Sequence, residues 1–171
     1  MTSPAAGSTP VTYWPLDSSA NPRFAGPVSF FRLPMLNDPQ AADIALVGLP
    51  WDGGTANRAG TRHGPRDIHI MSTLIRPYHH VTRTSPYEHC QVADFGDAPV
   101  NPVDINDTLG RVEQFYRTLH DAGVVPVTAG ADTGAQWTRL LAGGKRHSLT
   151  EMGAARRHLE CHTIAMCSKH N

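Results

Sequence analysis

The sequence predicts an α/β fold, an open parallel sheet with covering helices. Three observations carry that prediction. The apolar run at 44–50 ends in Gly and Pro, as a strand buried on both faces does, and a further strand-like run lies at 124–130. The segment 106–122 draws one apolar stripe at helical spacing. Five segments alternate between strand-like and helix-like, the pattern of a parallel sheet with crossover helices.

Each element has its own reason. Residues 1–42 are rich in Pro, Ser, Ala and Asn with isolated Trp14, Phe24, Phe30 and Phe31, and read as an extended arm packed on a core or a neighbouring subunit. The run 44–50 is the first strand. A Gly-rich loop, 51–64, follows it. Pro65 suits the first position of a helix that is expected to continue to about Tyr78. Residues 91–96 form the second strand, and 97–105 a loop with Pro99 and Pro102. In the helix at 106–122 the stripe is Leu109, Val112, Phe115, Tyr116 and Leu119, with Asp104 or Asn106 as cap and Gly123 just past the end. The third strand is 124–130, where Pro126 is tolerable near a strand's start or at an edge. Ligands of such sheets gather beyond the carboxyl ends of the strands, here 50–64, 97–105 and 130–134.

Composition narrows the function. Fifteen Lys+Arg balance fifteen Asp+Glu over 171 residues, so a nucleic-acid binder relying on phosphate neutralisation is disfavoured. No apolar run approaches the roughly 20 residues of a membrane span. Residues 1–10 lack Lys, Arg and an apolar stretch, so no secretory signal is expected. Three cysteines are too few for a disulfide framework, and a cytoplasmic setting is the expectation. The neutral total hides a seam. Residues 1–132 hold nine Arg, no Lys and thirteen acidic residues, a net of −4. Residues 133–171 hold four Arg, Lys145, Lys169, Glu151 and Glu160, a net of +4, and no aspartate. Three regions are therefore expected: an arm at 1–42, an α/β part at 43–132, and an atypical basic tail at 133–171 for which disorder is one reading.

The stretch 47–68, with Gly53-Gly54-Thr55 and Arg62-His63-Gly64-Pro65, resembles the ureohydrolase family of arginases, agmatinases and guanidinobutyrases. The similarity continues through 92–102, with Asp94-Phe95-Gly96-Asp97, and through 122–132. Pro22-Arg23-Phe24-Ala25-Gly26 and Phe31-Arg32-Leu33-Pro34 look most like the agmatinase and guanidinobutyrase branch. The resemblance implies a partial three-layer αβα arginase-like fold with an incomplete parallel sheet, corresponding to the first half of a full member. It implies hydrolysis of a small guanidino substrate to urea and an amine, with two manganese ions sharing an activated hydroxide. Manganese calls for hard oxygen and imidazole ligands. The family takes them from G-G-D-H, D-A-H-x-D and D-x-D segments.

This sequence departs from that pattern. The first segment reads Gly130-Ala131-Asp132-Thr133, with a neutral hydroxyl where the histidine ligand belongs. Without a later aspartate, neither of the other two segments can exist. Gly130, Asp132 and Thr133 are thus a motif remnant, no metal or catalytic residue is assigned, and this chain is expected to bind no manganese. A frameshift or an altered 3′ end of the coding sequence would give this pattern. Loop 51–64 aligns with a family loop at the active-site mouth, making Asn57, Arg58, Arg62 and His63 substrate-loop candidates. The competing reading gives Arg62 and Arg66 structural ion pairs and leaves the glycines to permit the turn.

Other motifs are weaker. Asp94 and Asp97 are read as holding their loop through backbone N–H groups, and His79-His80 as a solvated pair. Cys161, His162, Cys167 and His170 are ligand types, but five residues separate the cysteines where zinc sites space them by two to four. Gly143-Gly144-Lys145 lacks the upstream glycine of a phosphate loop. The expectation is a truncated agmatinase- or guanidinobutyrase-like ureohydrolase, inactive alone. The alternative is a non-catalytic subunit or interaction module in a homo- or hetero-oligomer with full-length relatives. No nucleic-acid or membrane partner is expected.

Overall fold

The computed structural model describes residues 12–55 and 58–130. Three strands and two α-helices alternate: β1 (Ile44–Leu49), α1 (Gly64–Ser72), β2 (Val92–Asp97), α2 (Ile105–Asp121) and β3 (Val125–Gly130). The strands form one parallel sheet in the order β2-β1-β3. The first crossover runs one way along the sheet and the second runs back across β1. Crossovers of one hand in opposite directions place their helices on opposite faces.

The central strand shows both faces at once. Ala45, Val47 and Leu49 join Trp51, Ala98 and Val112, Tyr116 and Leu119 of α2 in one cluster. Leu46 turns the other way, to Phe30, Leu33, Val92 and Ala129, with Ile68 of α1 against them. The layers are α2, sheet, and α1 with the arm: a partial three-layer α/β fold.

α2 forms as its sequence predicts. Asp104 caps it, accepting from the N–H groups of Asn106 (2.8 Å) and Asp107 (3.3 Å). Gly123, at φ 78°, follows its end in the left-handed conformation glycine adopts without penalty. Val112, Tyr116 and Leu119 are buried, and Leu109 and Phe115 partly so.

α1 is shorter than expected. Pro65 sits in its first turn, but it ends at Ser72, not near Tyr78. The N–H groups of Thr73, Leu74 and Ile75 bond three residues back, to Ile70, Met71 and Ser72, so the chain tightens out of the α form. Pro77 then disfavours helical geometry at Arg76. Ile70, Met71, Leu74 and Ile75 are exposed.

Two strands carry irregularities. Leu46 pairs with Asp94 but Gly48 pairs with Asp97, so β2 spends three residues where β1 spends two. The bulge is accommodated by Gly96 at φ 68°. In β3, the Val125 N–H donates to Asp43 O across the ladder at 2.9 Å. Backbone N–H groups alternate along a strand, so the nitrogen of Pro126 faces away from β1, where no donor is missed.

The arm has no strand within 12–42 and is pinned by a short 3₁₀ turn, Phe30–Arg32. Ser29, Phe30, Arg32 and Leu33 are buried, and the Tyr13 hydroxyl donates to Ala41 O. Among the described residues no helix is long and apolar enough to cross a membrane. The expected tail at 133–171, with its cysteines and histidines, lies outside the described residues.

Candidate functional site

The carboxyl ends of β1, β2 and β3 meet at one edge of the sheet, and the loop after β1 folds over it. Asp52 organises that loop. Its carboxylate is 2% exposed and accepts from the Gly60 N–H (2.6 Å) and from Nε and Nη2 of Arg62 (2.5 Å each). Its own carbonyl accepts from the Thr55 N–H and hydroxyl. One buried acid thus closes a ring of eight to ten residues. The Arg62 guanidinium bonded to it, helped by the Gly60 N–H and opposed by burial, holds the Asp52 carboxyl down to about 2.

Behind the loop, a turn at Thr61–His63 leads into α1 and packs on β3. Pro65 is wedged between two strand glycines. A Cβ on Gly48 would meet Pro65 Cβ at 2.9 Å and collide with the Asp97 carboxylate. A Cβ on Gly130 would meet Pro65 Cγ at 2.6 Å and Leu49 O at 2.7 Å, and Gly130 also holds φ 97°. These two glycines let the start of α1 lie against the sheet edge.

The structure brings Arg62, His63 and Gly130 to this edge. Arg62 is half exposed although its guanidinium is braced by Asp52. This matches the ion-pair reading of Arg62. Arg58 and His63 are exposed. Asn57, Asp132 and Thr133 lie outside the described residues. His79 and His80 stack with centroids 5.6 Å apart in an exposed loop, as a solvated pair would.

Asp94 does more than hold its loop. It is fully buried and accepts from Gly96 N–H (2.7 Å), Phe30 N–H (2.8 Å) and His69 Nε2 (3.2 Å). It therefore ties the arm and α1 to β2 as well. Asp97 lies above Gly48, and burial pushes its carboxyl up against the counter-pull of His69. Sequence reasoning missed Asp52 and His69. Asp52 had a signal, an acid directly after an apolar strand with Gly and Arg eight and ten residues on. His69 had none, since its partner lies 25 residues away.

Manganese needs several hard ligands with lone pairs to spare. Both oxygens of Asp52 and of Asp94 are already engaged by donors. Among the described residues no group of three or more His, Cys, Asp or Glu could hold a metal ion. The described residues do not fit a two-manganese centre. What they make is a braced loop, with Arg62 held by Asp52, over tightly packed strand ends.

Known proteins are similar to this chain in sequence and fold. The chain is 54% identical to a guanidinopropionase of Pseudomonas aeruginosa over 118 residues, which are 69% of this chain and 37% of that protein. It is 38% identical to a guanidinobutyrase of the same organism over 136 residues, 78% of this chain and 43% of that protein. The solved proclavaminate amidinohydrolase of Streptomyces clavuligerus superposes with a TM-score of 0.62 at 30% identity, over 66% of this chain and 38% of that one. The chain thus spans about two fifths of the length of the curated relatives it matches. The arginase family model matches residues 42–153, which include all three strands, the braced loop and both helices, and the chain belongs to the arginase family.

Proposed function

We propose that these 171 residues supply the arm (1–42) and the amino-terminal framework (43–132) of a guanidino-acid ureohydrolase, and that they release no urea by themselves. The observation that carries this is the loop braced by Asp52. It carries Arg62 and His63 next to the strand ends, with Arg58 exposed in the same loop, and the chain is similar to relatives named for guanidino acids. A substrate with a carboxylate at one end and a guanidinium at the other would meet Arg58 and His63 with its carboxylate. The hydrolytic manganese pair that the family resemblance implies would need ligands beyond those described here. Supporting this, no aspartate follows Asp132.

The test is a pair of urea assays with added Mn²⁺. The 171-residue protein is expected to give no urea from 3-guanidinopropionate, 4-guanidinobutyrate or agmatine. A chimaera of residues 1–130 followed by the remainder of the guanidinopropionase is expected to give urea from a guanidino acid. Urea from the first protein, or none from a folded chimaera, overturns the proposal.

A second reading, a non-catalytic subunit that associates with full-length relatives in the cytoplasm, is favoured by the exposed Ile70, Met71, Leu74 and Ile75 at the end of α1. Light scattering of the purified protein tests it. A monodisperse monomer counts against it.

A further inference from the structure

The polar contacts under α1 carry a proton requirement of their own. His69 Nδ1 lies 2.9 Å from Pro65 O, and Nε2 lies 3.2 Å from Asp94 Oδ2. A carbonyl only accepts. The Asp94 carboxylate is likewise an acceptor, already taking the N–H groups of Phe30 and Gly96. Both ring nitrogens therefore face acceptors. A neutral imidazole has one N–H and satisfies one of the two, whereas an imidazolium donates to both. The Phe30 ring stacks on the imidazole with centroids 3.6 Å apart, offering its face to a cation.

The same acid holds the arm. Besides the Phe30 N–H, Asp94 bonds Pro34 O through its N–H and Leu36 N–H through its carbonyl, each at 2.9 Å. The Phe31 N–H reaches Ser72 Oγ on α1 at 2.9 Å.

We propose that His69 and Asp94 form a proton-operated latch that fastens the 29–36 segment to the sheet: the imidazolium closes it and the neutral ring loosens it. The surrounding charges agree. Asp97 on β2 also attracts the imidazolium. Arg32, in the 3₁₀ turn, sends its guanidinium to Ser18 and Asn21. β1 and β3 carry no titratable side chain. On and before α1, Arg66, Asp67 and His63 are exposed, and Arg62 is engaged by Asp52. Burial opposes the charge on His69, but the bond and charge of Asp94 outweigh it and raise its pKa above the ordinary value. The latch is thus fully closed below the ordinary histidine pKa of about 6.5 and opens as pH rises through the raised one. It requires neither substrate nor metal, so it stands or falls apart from the ureohydrolase reading.

The test follows His69 ring nitrogens by NMR, with amide exchange, on the whole 171-residue protein from about pH 5 to 9. Both nitrogens are expected to carry protons in acid. As the ring deprotonates, the protection of Phe30, Phe31 and Leu36, corrected for intrinsic rate, is expected to fall about tenfold, the scale of one charge-assisted bond lost. Amides of α2 should not follow. His69→Gln keeps a donor and loses the charge, so its Phe30 protection should sit at the lower level without a pH step. A His69 that stays neutral throughout, or Phe30 protection that ignores its titration, overturns the latch. Should the variant not fold, the wild-type correlation decides alone.

Discussion

Both faces of the sheet carry an apolar cluster, but the α1 face adds a buried carboxylate that bonds the arm and the helix. On the α2 face, Val47, Leu49, Val112, Tyr116 and Leu119 pack side chain to side chain, and the Tyr116 and Thr128 hydroxyls meet at 2.7 Å. Burial raises the Tyr116 phenol well above its ordinary value, so it stays neutral. On the α1 face, a short helix and an irregular arm are held by charge-assisted bonds to Asp94. An apolar seal depends on volume and is indifferent to pH. A polar seal depends on which groups hold protons. The lesson is that one small sheet can carry a robust face and a conditional one.

Four substitutions would break or sharpen that contrast. The largest effect is expected from Asp94→Ala, which strands the His69 imidazolium and frees three donors. It should cost about 4 kcal/mol by denaturant titration below neutral pH, and less in alkali as His69 discharges. Leu119→Ala opens a cavity on the opposite face and should cost about 3 kcal/mol. Its penalty should stay level between acid and alkali. Equal pH profiles for the two variants would erase the distinction. Asp104→Ala removes the α2 cap and should cost about 1 kcal/mol, lowering the denaturation midpoint. The smallest change in global stability is expected from Arg62→Ala, whose guanidinium is half exposed. Its effect should be local, as faster proteolytic cleavage within 51–64. Asp52 has its carboxyl depressed, so its brace is in force above about pH 4, its unfolded value, and fails as pH falls through about 2. Cleavage of the wild-type loop should therefore quicken only in strong acid, and Arg62→Ala should move that onset upward.

The same contrast decides what was legible in the sequence. β1 and α2 declare themselves through local pattern: an apolar run, a stripe, a cap at Asp104 and Gly123 at the end. The α1 face was not legible. Phe30 and Asp94 are 64 residues apart, and His69 and Asp94 are 25 apart, so no window holds both partners. The end of α1 was overshot because apolar residues continue to Tyr78 while the backbone has already tightened at Thr73. Loop 51–64 was recognised as important, and Arg62 and His63 do stand at the edge. Its organiser, Asp52, carried only the spacing to Gly60 and Arg62 as a signal, and that spacing gains meaning once its donors are seen.

The bulge in β2 has an arithmetic consequence. Asp94 and Asp97 are an odd number of residues apart, and in an unbroken strand odd separations fall on opposite sides. The extra residue at the bulge changes the parity, so both acids stand on the side of α1, over Leu46 and Gly48. Deleting one residue at 95 or 96 would remove the bulge and leave the acids two residues apart, still on the side of α1, whereas straightening β2 at its present length would turn Asp97 toward the apolar cluster. The bulge thus lets acids three residues apart share one side, within reach of a single histidine, while the other side stays apolar.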